Sequence, residues 1–322
     1  MYFLPIILMV MYFLIEKLMT DHHRKKIKYV IHVNGIRGKS TIVKMVDSVL
    51  REAGYNTYAK TTGTVPEYHI NGESFRIHRK GLSNIREQRK HLIKASKSGS
   101  DALIIECMAL RPESQKVSEQ ILRSDIGIIS NVRTDHLEVM GLTHQDIKET
   151  LRLMTPKHGI LIEGDTLSDT HLSFDHLHQQ NVNIAYEVSK YLNISEDAFA
   201  KALSKMNPSI SSSSFDFQLT NGFTANDLET TQEMYQSFVN DNNVNSAIWF
   251  NDRYDRPLRS KLLSQWLLTL EPSTIYLTGD GIRKNKRKLC SKHIIVTTLD
   301  EVKSTCVFGM GNIKGLEYIL ES

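Results

Sequence analysis

The sequence has few cysteines and little excess charge. Its three cysteines, Cys107, Cys290 and Cys306, lie far apart and form no C-x-x-C pair. This spacing argues against a disulfide framework and a zinc site, and it fits a reducing compartment. The formal net charge is only +4, and no zinc-finger or aromatic-plus-glycine RNA motif occurs. We therefore expect no nucleic-acid partner.

What is present is the composition of an ordinary globular protein. Apolar residues make up 40% of the chain and charged residues 24%, which excludes a disordered or fibrous class. The 322 residues exceed the roughly 250 to 300 at which a single core usually stops growing, so two α/β domains are predicted. No repeat at a fixed period is visible, which excludes solenoids and propellers.

The N-terminus carries the longest apolar run. Residues 2–15 are almost wholly apolar, Glu16 and Lys17 interrupt, and a basic stretch follows from His22 to Lys28. We predict a membrane anchor helix over residues 1–20, with a single pass through the cell membrane and the catalytic domains in the cytoplasm. A cleavable signal peptide is disfavoured, because the positive charges follow the apolar run and no A-x-A-like site occurs. A buried first helix stays open, since the run is short for a span.

Beyond the anchor, short aliphatic runs alternate with longer amphipathic ones, which is the pattern of a parallel sheet with crossover helices. In the first part, strands are predicted at 29–34, 102–107, 126–132 and 160–163, and helices at 40–53, 85–96, 114–122, 145–153 and 181–192. In the second part, strands are predicted at 223–226, 246–251, 274–278, 293–297 and 305–308, and helices at 229–239 and 258–270. The Ser-rich segment 209–214 is the candidate linker. The predicted domains are 27–206 and a smaller, Rossmann-like 215–322.

The first strand and helix enclose a glycine-containing loop, Gly35-Ile36-Arg37-Gly38-Lys39-Ser40-Thr41. In this position glycines let backbone amides turn toward an anion, Lys39 can reach β- and γ-phosphates, and Ser40 can ligate Mg²⁺. Val33 occupies the first position of the strict G-x-x-x-x-G-K-[ST] pattern, so the motif is the shorter G-x-x-G-K-S. A glycine turn that merely caps a βα unit is the alternative; we interpret the loop as an ATP site.

Polar residues at the ends of other predicted strands can complete such a site. Glu106 ends one strand, and Asn131, Asp135 and His136 follow another. In an open α/β sheet ligands bind at the carboxyl ends of strands, so these side chains are predicted to meet the loop. Taken singly, each has an ordinary structural explanation. The polar loop from Lys60 to Thr64 can add hydroxyls or an ammonium for phosphates.

These motifs resemble the Mur ligase and folylpolyglutamate synthase superfamily, which uses the short phosphate loop. They are more similar still to the family of the poly-γ-glutamate synthase ATP-dependent subunit, CapB or PgsB. The shared motifs cover nearly the whole chain: 34–41, 60–64, 106–109, 131–141, 221–223, 225–227 and 309–313. The resemblance implies an ADP-forming carboxylate–amine ligase that activates a glutamate carboxylate as an acyl phosphate and extends poly-γ-glutamate for a capsule.

The resemblance also implies roles for individual residues. Lys39, Glu106 and His136 would be catalytic, with Ser40, Glu106 and His136 holding Mg²⁺ ions. The loop residues Gly35, Ile36, Arg37, Gly38, Lys39, Ser40 and Thr41 would bind ATP together with Asn181 and Arg253. Further family positions in the second domain are Asn226, Asp227, Asn251, Asp255 and Arg256. The implied partners are glutamate, the poly-γ-glutamate chain, small integral-membrane subunits of the capsule synthase and the membrane, with a homo-oligomer possible.

Two departures from the family pattern keep alternatives open. The stretch between Asp165 and Asn181 is short, and the segment 209–214 lacks an arginine that the family has before its second domain. Lys157 is no clear match to the lysine that some Mur ligases carbamylate. One alternative is a P-loop ATPase that couples hydrolysis to polymer export. The other is a degenerate subunit that binds nucleotide without turnover.

Overall fold

The chain divides into two compact units, residues 1–132 with 136–208, and residues 133–135 with 209–322. The computed structural model describes residues 3–62, 66–79, 84–134, 137–174, 177–206, 217–225, 227–241, 246–252, 257–298, 301, 304–311 and 316. Both units are α/β, as predicted, and each is built around parallel strands connected by helices.

The described strands of the first unit form a seven-stranded sheet. Its strands are β1 (Tyr29–Asn34), β2 (Thr57–Lys60), β3 (Glu67–Ile70), β4 (Glu73–Arg76), β5 (Ala102–Glu106), β6 (Ile126–Ile129) and β7 (Ile160–Glu163). The order is β4-β3-β2-β5-β1-β6-β7, and the strands from β2 to β7 in this order are parallel. The predicted parallel sheet is present, and at one edge it is extended by an antiparallel hairpin of β3 and β4 that the sequence did not predict.

Helices cover both faces of this sheet. They are α1 (Phe3–Arg24), α2 (Lys39–Glu52), α3 (Arg86–Lys97), α4 (Pro112–Leu122), α5 (Leu137–Met140), α6 (His144–Arg152), α7 (Gln179–Tyr191) and α8 (Glu196–Ser204). The apolar face of α2, including Ile42, Val46 and Leu50, is fully buried against β1, β5 and β6 and against α7 and α8. That burial holds the first turn of α2 at the carboxyl ends of the strands.

Helix α1 differs from the other helices of the unit. Its large apolar side chains from Phe3 to Ile15 are at least half exposed, so this stretch is not a core helix of the first unit. By length and composition α1 could cross a membrane, with a mean hydropathy of 1.8 in its most apolar window. Its last two turns contact α3 and the end of α4 through ion pairs, Arg89 with Glu16 and Arg123 with Asp21.

The second unit contains a five-stranded parallel sheet within its described residues, in the order β11-β10-β9-β12-β8. Its elements are β8 (Gln218–Asn221), α9 (Leu228–Asp241), β9 (Ser246–Asp252), α10 (Pro257–Leu267), β10 (Ile275–Gly279), α11 (Ile282–Leu289), β11 (Ile295–Val296) and β12 (Cys306–Gly311). The predicted strand 223–226 is wrong, because Gly222–Thr224 form a 3-10 turn that follows β8. Phe223 is buried there, packed edge-on against Trp249.

Candidate active site

The predicted phosphate loop connects β1 to α2 at the carboxyl edge of the first sheet. Two of its residues need glycine, because Gly35 has φ +116° and Gly38 has φ +74°. In addition, a Cβ on Gly35 would lie 2.1 Å from Ser130 Oγ, and one on Gly38 would lie 2.5 Å from Asn181 Oδ1. The loop is therefore packed so closely on its neighbours that a side chain at either position would displace them.

The residues that follow β6 fix the shape of the loop. Asn131 accepts a hydrogen bond from the Arg37 amide at its Oδ1 (2.9 Å) and one from the Ile36 amide at its carbonyl (3.2 Å). Ser130 Oγ donates to the Arg37 carbonyl. Asn131 was among the predicted site residues. Ser130 was missed, since a serine at the end of a strand belongs to no recognisable motif.

The Lys39 ammonium lies over the loop, close to the start of helix α2. Helix α2 begins at Lys39, and its N-cap residue, Gly38, provides no side-chain cap. The Lys39 side chain folds back over the loop, where Nζ donates to the carbonyl oxygens of Gly35 (2.7 Å) and Ile36 (3.3 Å). An ammonium beside the positive end of a helix dipole is an arrangement that binds polyphosphates.

Glu106 brings a carboxylate to the same place. It ends β5, is only 4% exposed, and its Oε2 accepts hydrogen bonds from Ser40 Oγ (2.7 Å) and from the Thr62 amide (2.7 Å). The predicted convergence of Lys39, Ser40 and Glu106 at one edge of the sheet is therefore present. A hydroxyl and a carboxylate are hard oxygen donors of the kind that Mg²⁺ prefers, so this pair fits the predicted metal.

Other predicted ligands are only partly covered by the structure. Asp135 and His136 lie outside the described residues, and within the part of the chain that is described no three His, Cys, Asp or Glu side chains form a metal cluster. The backbone before them is held in place, because the Val132 amide donates to Asp165 Oδ2 (2.7 Å) and the Val132 carbonyl contacts His144 Nε2 (3.0 Å).

The predicted nucleotide contact Asn181 lies in the first turn of α7, where its side chain packs against Gly38. It is thus at the rim of the phosphate loop. In the second unit Asp227 caps α9, accepting from the Thr230 amide (2.7 Å), and Asn251 accepts from Thr278 Oγ1 (3.0 Å). Asn226, Arg253, Asp255 and Arg256 lie outside the described residues.

The Lys60 side chain is turned into the protein. It is fully buried, and its Nζ lies 3.8 Å from Glu87 Oε2, a carboxylate that also pairs with Arg79. Burial lowers the pKa of Lys60 to about 8. From the loop that starts at Lys60, the Thr62 amide is the group that contacts Glu106. Gly63 and Thr64 lie outside the described residues.

A layer of buried polar side chains lies next to the site, between β1, the end of β5 and α4. Asn34, the last residue before the loop, donates to Gln115 Oε1 (2.8 Å), and Gln115 in turn donates to the Ala109 carbonyl (2.8 Å). Next to them His32 contacts Glu119 Oε2 (3.2 Å). Burial opposes protonation of His32, but the charge and hydrogen-bond interactions with Cys107 and Glu119 outweigh it and raise the pKa of the imidazole. The layer ties β1 and the end of β5 to α4, which orients Glu106 relative to the loop.

Comparison with known families assigns both halves of the chain. The family described as "Mur ligase middle domain" matches residues 33–221, and the family described as "Poly-gamma-glutamate synthase CapB C-terminal domain" matches residues 210–322. The fold and the phosphate loop thus define a protein of the Mur ligase class. The "PGA synthase CapB" of Bacillus subtilis (strain 168) is 30% identical over 294 residues, covering 78% of this chain and 74% of that protein. The chain therefore belongs to the CapB family of the Mur ligase superfamily.

Further relatives agree with this assignment. The "Capsule biosynthesis protein CapB" of Bacillus anthracis is 27% identical over 354 aligned positions, covering 91% of this chain and 76% of that protein. Among solved structures, E. coli FolC in complex with ADP has a TM-score of 0.71 at 13% identity, covering 94% of this chain and 90% of that one. MurF from Acinetobacter baumannii has a TM-score of 0.63 at 14% identity, covering 94% and 79%. At these identities the structures establish the fold.

Proposed function

We propose that this chain is an ATP-dependent amide ligase that makes poly-γ-glutamate. Two similar proteins are named "PGA synthase CapB" and "Capsule biosynthesis protein CapB". A neighbour in fold, a folylpolyglutamate synthase, was crystallised with Mn, AMPPNP and L-glutamate, which supports ATP and a divalent metal as cofactors. The observation that carries the proposal is the 2.7 Å contact of Ser40 Oγ with the Glu106 carboxylate beside Lys39 and the phosphate loop.

The chemistry follows from the weakness of a carboxylate as an electrophile. In the proposed reaction a carboxylate oxygen of glutamate takes the γ-phosphoryl group of ATP and ADP leaves. The amine of the other substrate then attacks the carbonyl carbon, loses a proton, and releases phosphate as the amide forms. Lys39 and the amides at the start of α2 would stabilise the negative charge on the phosphates. Mg²⁺, held by Ser40, Glu106 and His136, would neutralise the transferring phosphoryl group.

The remaining assignments are part of the same proposal. Asn181 and Arg253 would contact the nucleotide, which their family positions support. Helix α1 would anchor the chain in the cell membrane, with the catalytic part in the cytoplasm; its exposed apolar surface and the basic residues at its end support this. Small integral-membrane subunits of a capsule synthase would be the protein partners.

The proposal is tested by ATP-dependent incorporation of labelled glutamate into polymer. Membranes containing the wild-type chain are compared with membranes containing Lys39→Ala. The matched control is Lys44→Ala, which removes an exposed lysine from the same helix. We expect Lys39→Ala to lose at least about a hundredfold in rate, because the ammonium stabilises charge that develops in the transition state. Lys44→Ala should keep wild-type activity.

Two results would contradict the ligase. ATP hydrolysis that is indifferent to glutamate would favour an ATPase coupled to polymer export. Nucleotide binding without turnover, in membranes that also hold the other synthase subunits, would favour a degenerate subunit.

A further inference from the structure

A cleft lies at the end of the sheet opposite the phosphate loop. It has a volume of about 1080 Å³ and lies between α1, the start of α3, α4 and the segment 153–158. Its floor includes Asp125, which precedes β6 and pairs with Arg24 at the end of α1 (2.7 Å). The cleft is therefore at the amino ends of the strands, beside the apolar helix and away from the site described above.

The cleft has an unbalanced positive charge. Lysines and arginines provide eight of its lining residues, while aspartates and glutamates provide four. Each of those four acids already has a cationic or imidazole partner: Glu16 with Arg89, Asp21 with Arg123, Asp125 with Arg24, and Glu119 with His32. Five lining cations are exposed and have no ion pair with any residue that the structure describes: Lys17, Lys25, Arg86, Lys116 and Lys157.

The same cleft also has apolar walls. Phe13 of α1, Ile85 and Val117 line it, and the side chains of Phe13 and Val117 are 51% and 37% exposed. A ligand that satisfies both features carries a negative group and an aliphatic part. The volume is ample for a glycerophosphate head group with the upper part of its acyl chains.

We propose that this cleft binds the head group of an anionic phospholipid. The inference rests on the membrane placement of α1 in the proposed function. If α1 enters the bilayer, the cleft lies where its apolar surface meets the basic residues at its cytoplasmic end, and basic pockets in that position bind acidic lipid head groups. The ion pairs between α1 and the helices α3 and α4 keep the cleft in a fixed shape. A free anionic polymer would use the cations but would leave the apolar walls without a partner.

Binding of a soluble short-chain lipid tests the proposal. The full-length chain in a neutral detergent is titrated with dioctanoyl phosphatidylglycerol and, separately, with dioctanoyl phosphatidylcholine. The test variant replaces Lys25, Arg86, Lys116 and Lys157 with Gln. The matched control replaces the same number of exposed cations on α11 with Gln, namely Arg283, Lys284, Lys286 and Arg287.

We expect phosphatidylglycerol to bind and phosphatidylcholine to bind at least about tenfold more weakly, because each basic side chain near an anionic surface contributes to attraction. The cleft variant should lose at least about tenfold in affinity for phosphatidylglycerol, and the α11 control should match the wild type. Thermal unfolding of both variants checks that they are folded. Lys39→Ala should bind the lipid like the wild type, which separates this inference from the fate of the ligase activity.

Three outcomes would overturn the proposal. Equal affinity for the two lipids would show that charge does not determine binding. Equal losses of affinity in the cleft variant and the α11 variant would show that the lipid does not bind in this cleft. Displacement of the bound lipid by a short γ-linked glutamate oligomer, together with binding of that oligomer by the wild type but not by the cleft variant, would assign the cleft to the polymer instead.

Discussion

Asn131→Ala tests how the phosphate loop is held in shape. The Asn131 side chain accepts a hydrogen bond from the Arg37 amide (2.9 Å) and donates one to the Arg37 carbonyl (3.4 Å). Alanine removes both. The Asn131 carbonyl keeps its bond to the Ile36 amide, so the loop loses two of its three hydrogen bonds to this residue.

The size of the effect follows from the Arg37 amide, whose hydrogen bond is partly buried. Leaving a buried donor without a partner costs about 1 to 3 kcal/mol. If the variant relieves that cost by letting the free loop become disordered, the loop must be ordered again when nucleotide binds. The free energy of ordering is then lost from the free energy of binding. Because about 1.4 kcal/mol corresponds to a factor of ten, affinity for ATP or ADP should fall about 5- to 150-fold.

The assay is equilibrium binding of a fluorescent ADP analogue, with thermal unfolding measured in parallel. Asn183→Ala is a matched control. Asn183 is as buried as Asn131. Its side chain also makes hydrogen bonds through both polar atoms: Oδ1 accepts from the Thr170 amide (3.1 Å), and Nδ2 donates to Asp169 Oδ1 (2.8 Å). We expect both variants to lose stability but only Asn131→Ala to lose nucleotide affinity. Nucleotide affinity within twofold of wild type in Asn131→Ala, or an equal loss in Asn183→Ala, would refute the reasoning.

Three further predictions concern other contacts. Gly38→Ala should destabilise the chain by about 1 to 2 kcal/mol and weaken ADP binding, because residue 38 has φ +74° and the new Cβ would collide with Asn181. Urea unfolding measures the loss of stability, and ADP titration measures the loss of affinity. Burial lowers the pKa of Lys60 in the folded protein to about 8, whereas the unfolded lysine titrates near 10.5. The unfolded state therefore binds more protons between these pH values, and the stability of the wild type should rise as the pH increases from about 8 to about 10.5. The midpoints of urea unfolding should show that rise, and Lys60→Met should lack it. Arg89→Ala should speed hydrogen exchange in the last two turns of α1, since Arg89 bonds Glu16 and Thr20, and should leave ADP binding unchanged.

The parts of the fold that could be predicted are those with strong periodicity. β1 and β7 lie within the predicted bounds, because each is a short aliphatic run between polar residues. Helix α2 was predicted from its apolar stripe, which the structure buries. In contrast, β3 and β4 carry few aliphatic residues and were missed, although Asn71 and Gly72 between them have the positive φ values of a tight hairpin turn.

Helix α11 was missed for a related reason. Its described buried side chains are Asn285 and Leu289, which are one turn apart, while the rest is mostly basic and exposed. The basic residues Arg283, Lys284, Lys286 and Arg287 lie on the exposed side of this helix. Its two apolar residues, Ile282 and Leu289, are seven positions apart, and that pattern is too sparse to predict a helix.

For the site, the motif and the rule that ligands bind at the carboxyl ends of strands predicted that Lys39, Ser40 and Glu106 would meet. The supporting contacts could not be predicted in the same way. Ser130 and Asp165 act through single hydrogen bonds to the Arg37 carbonyl and the Val132 amide. Such contacts depend on the distance between two chain segments, which no local pattern in the sequence encodes.

The most direct test of the ligase is to trap the activated carboxylate. Purified chain is incubated with ATP, Mg²⁺, glutamate or a short γ-linked glutamate oligomer, and hydroxylamine, and the hydroxamate and ADP are measured together. We expect equal amounts of γ-glutamyl hydroxamate and ADP in the wild type and neither product in Lys39→Ala. ADP formation without hydroxamate would contradict this expectation.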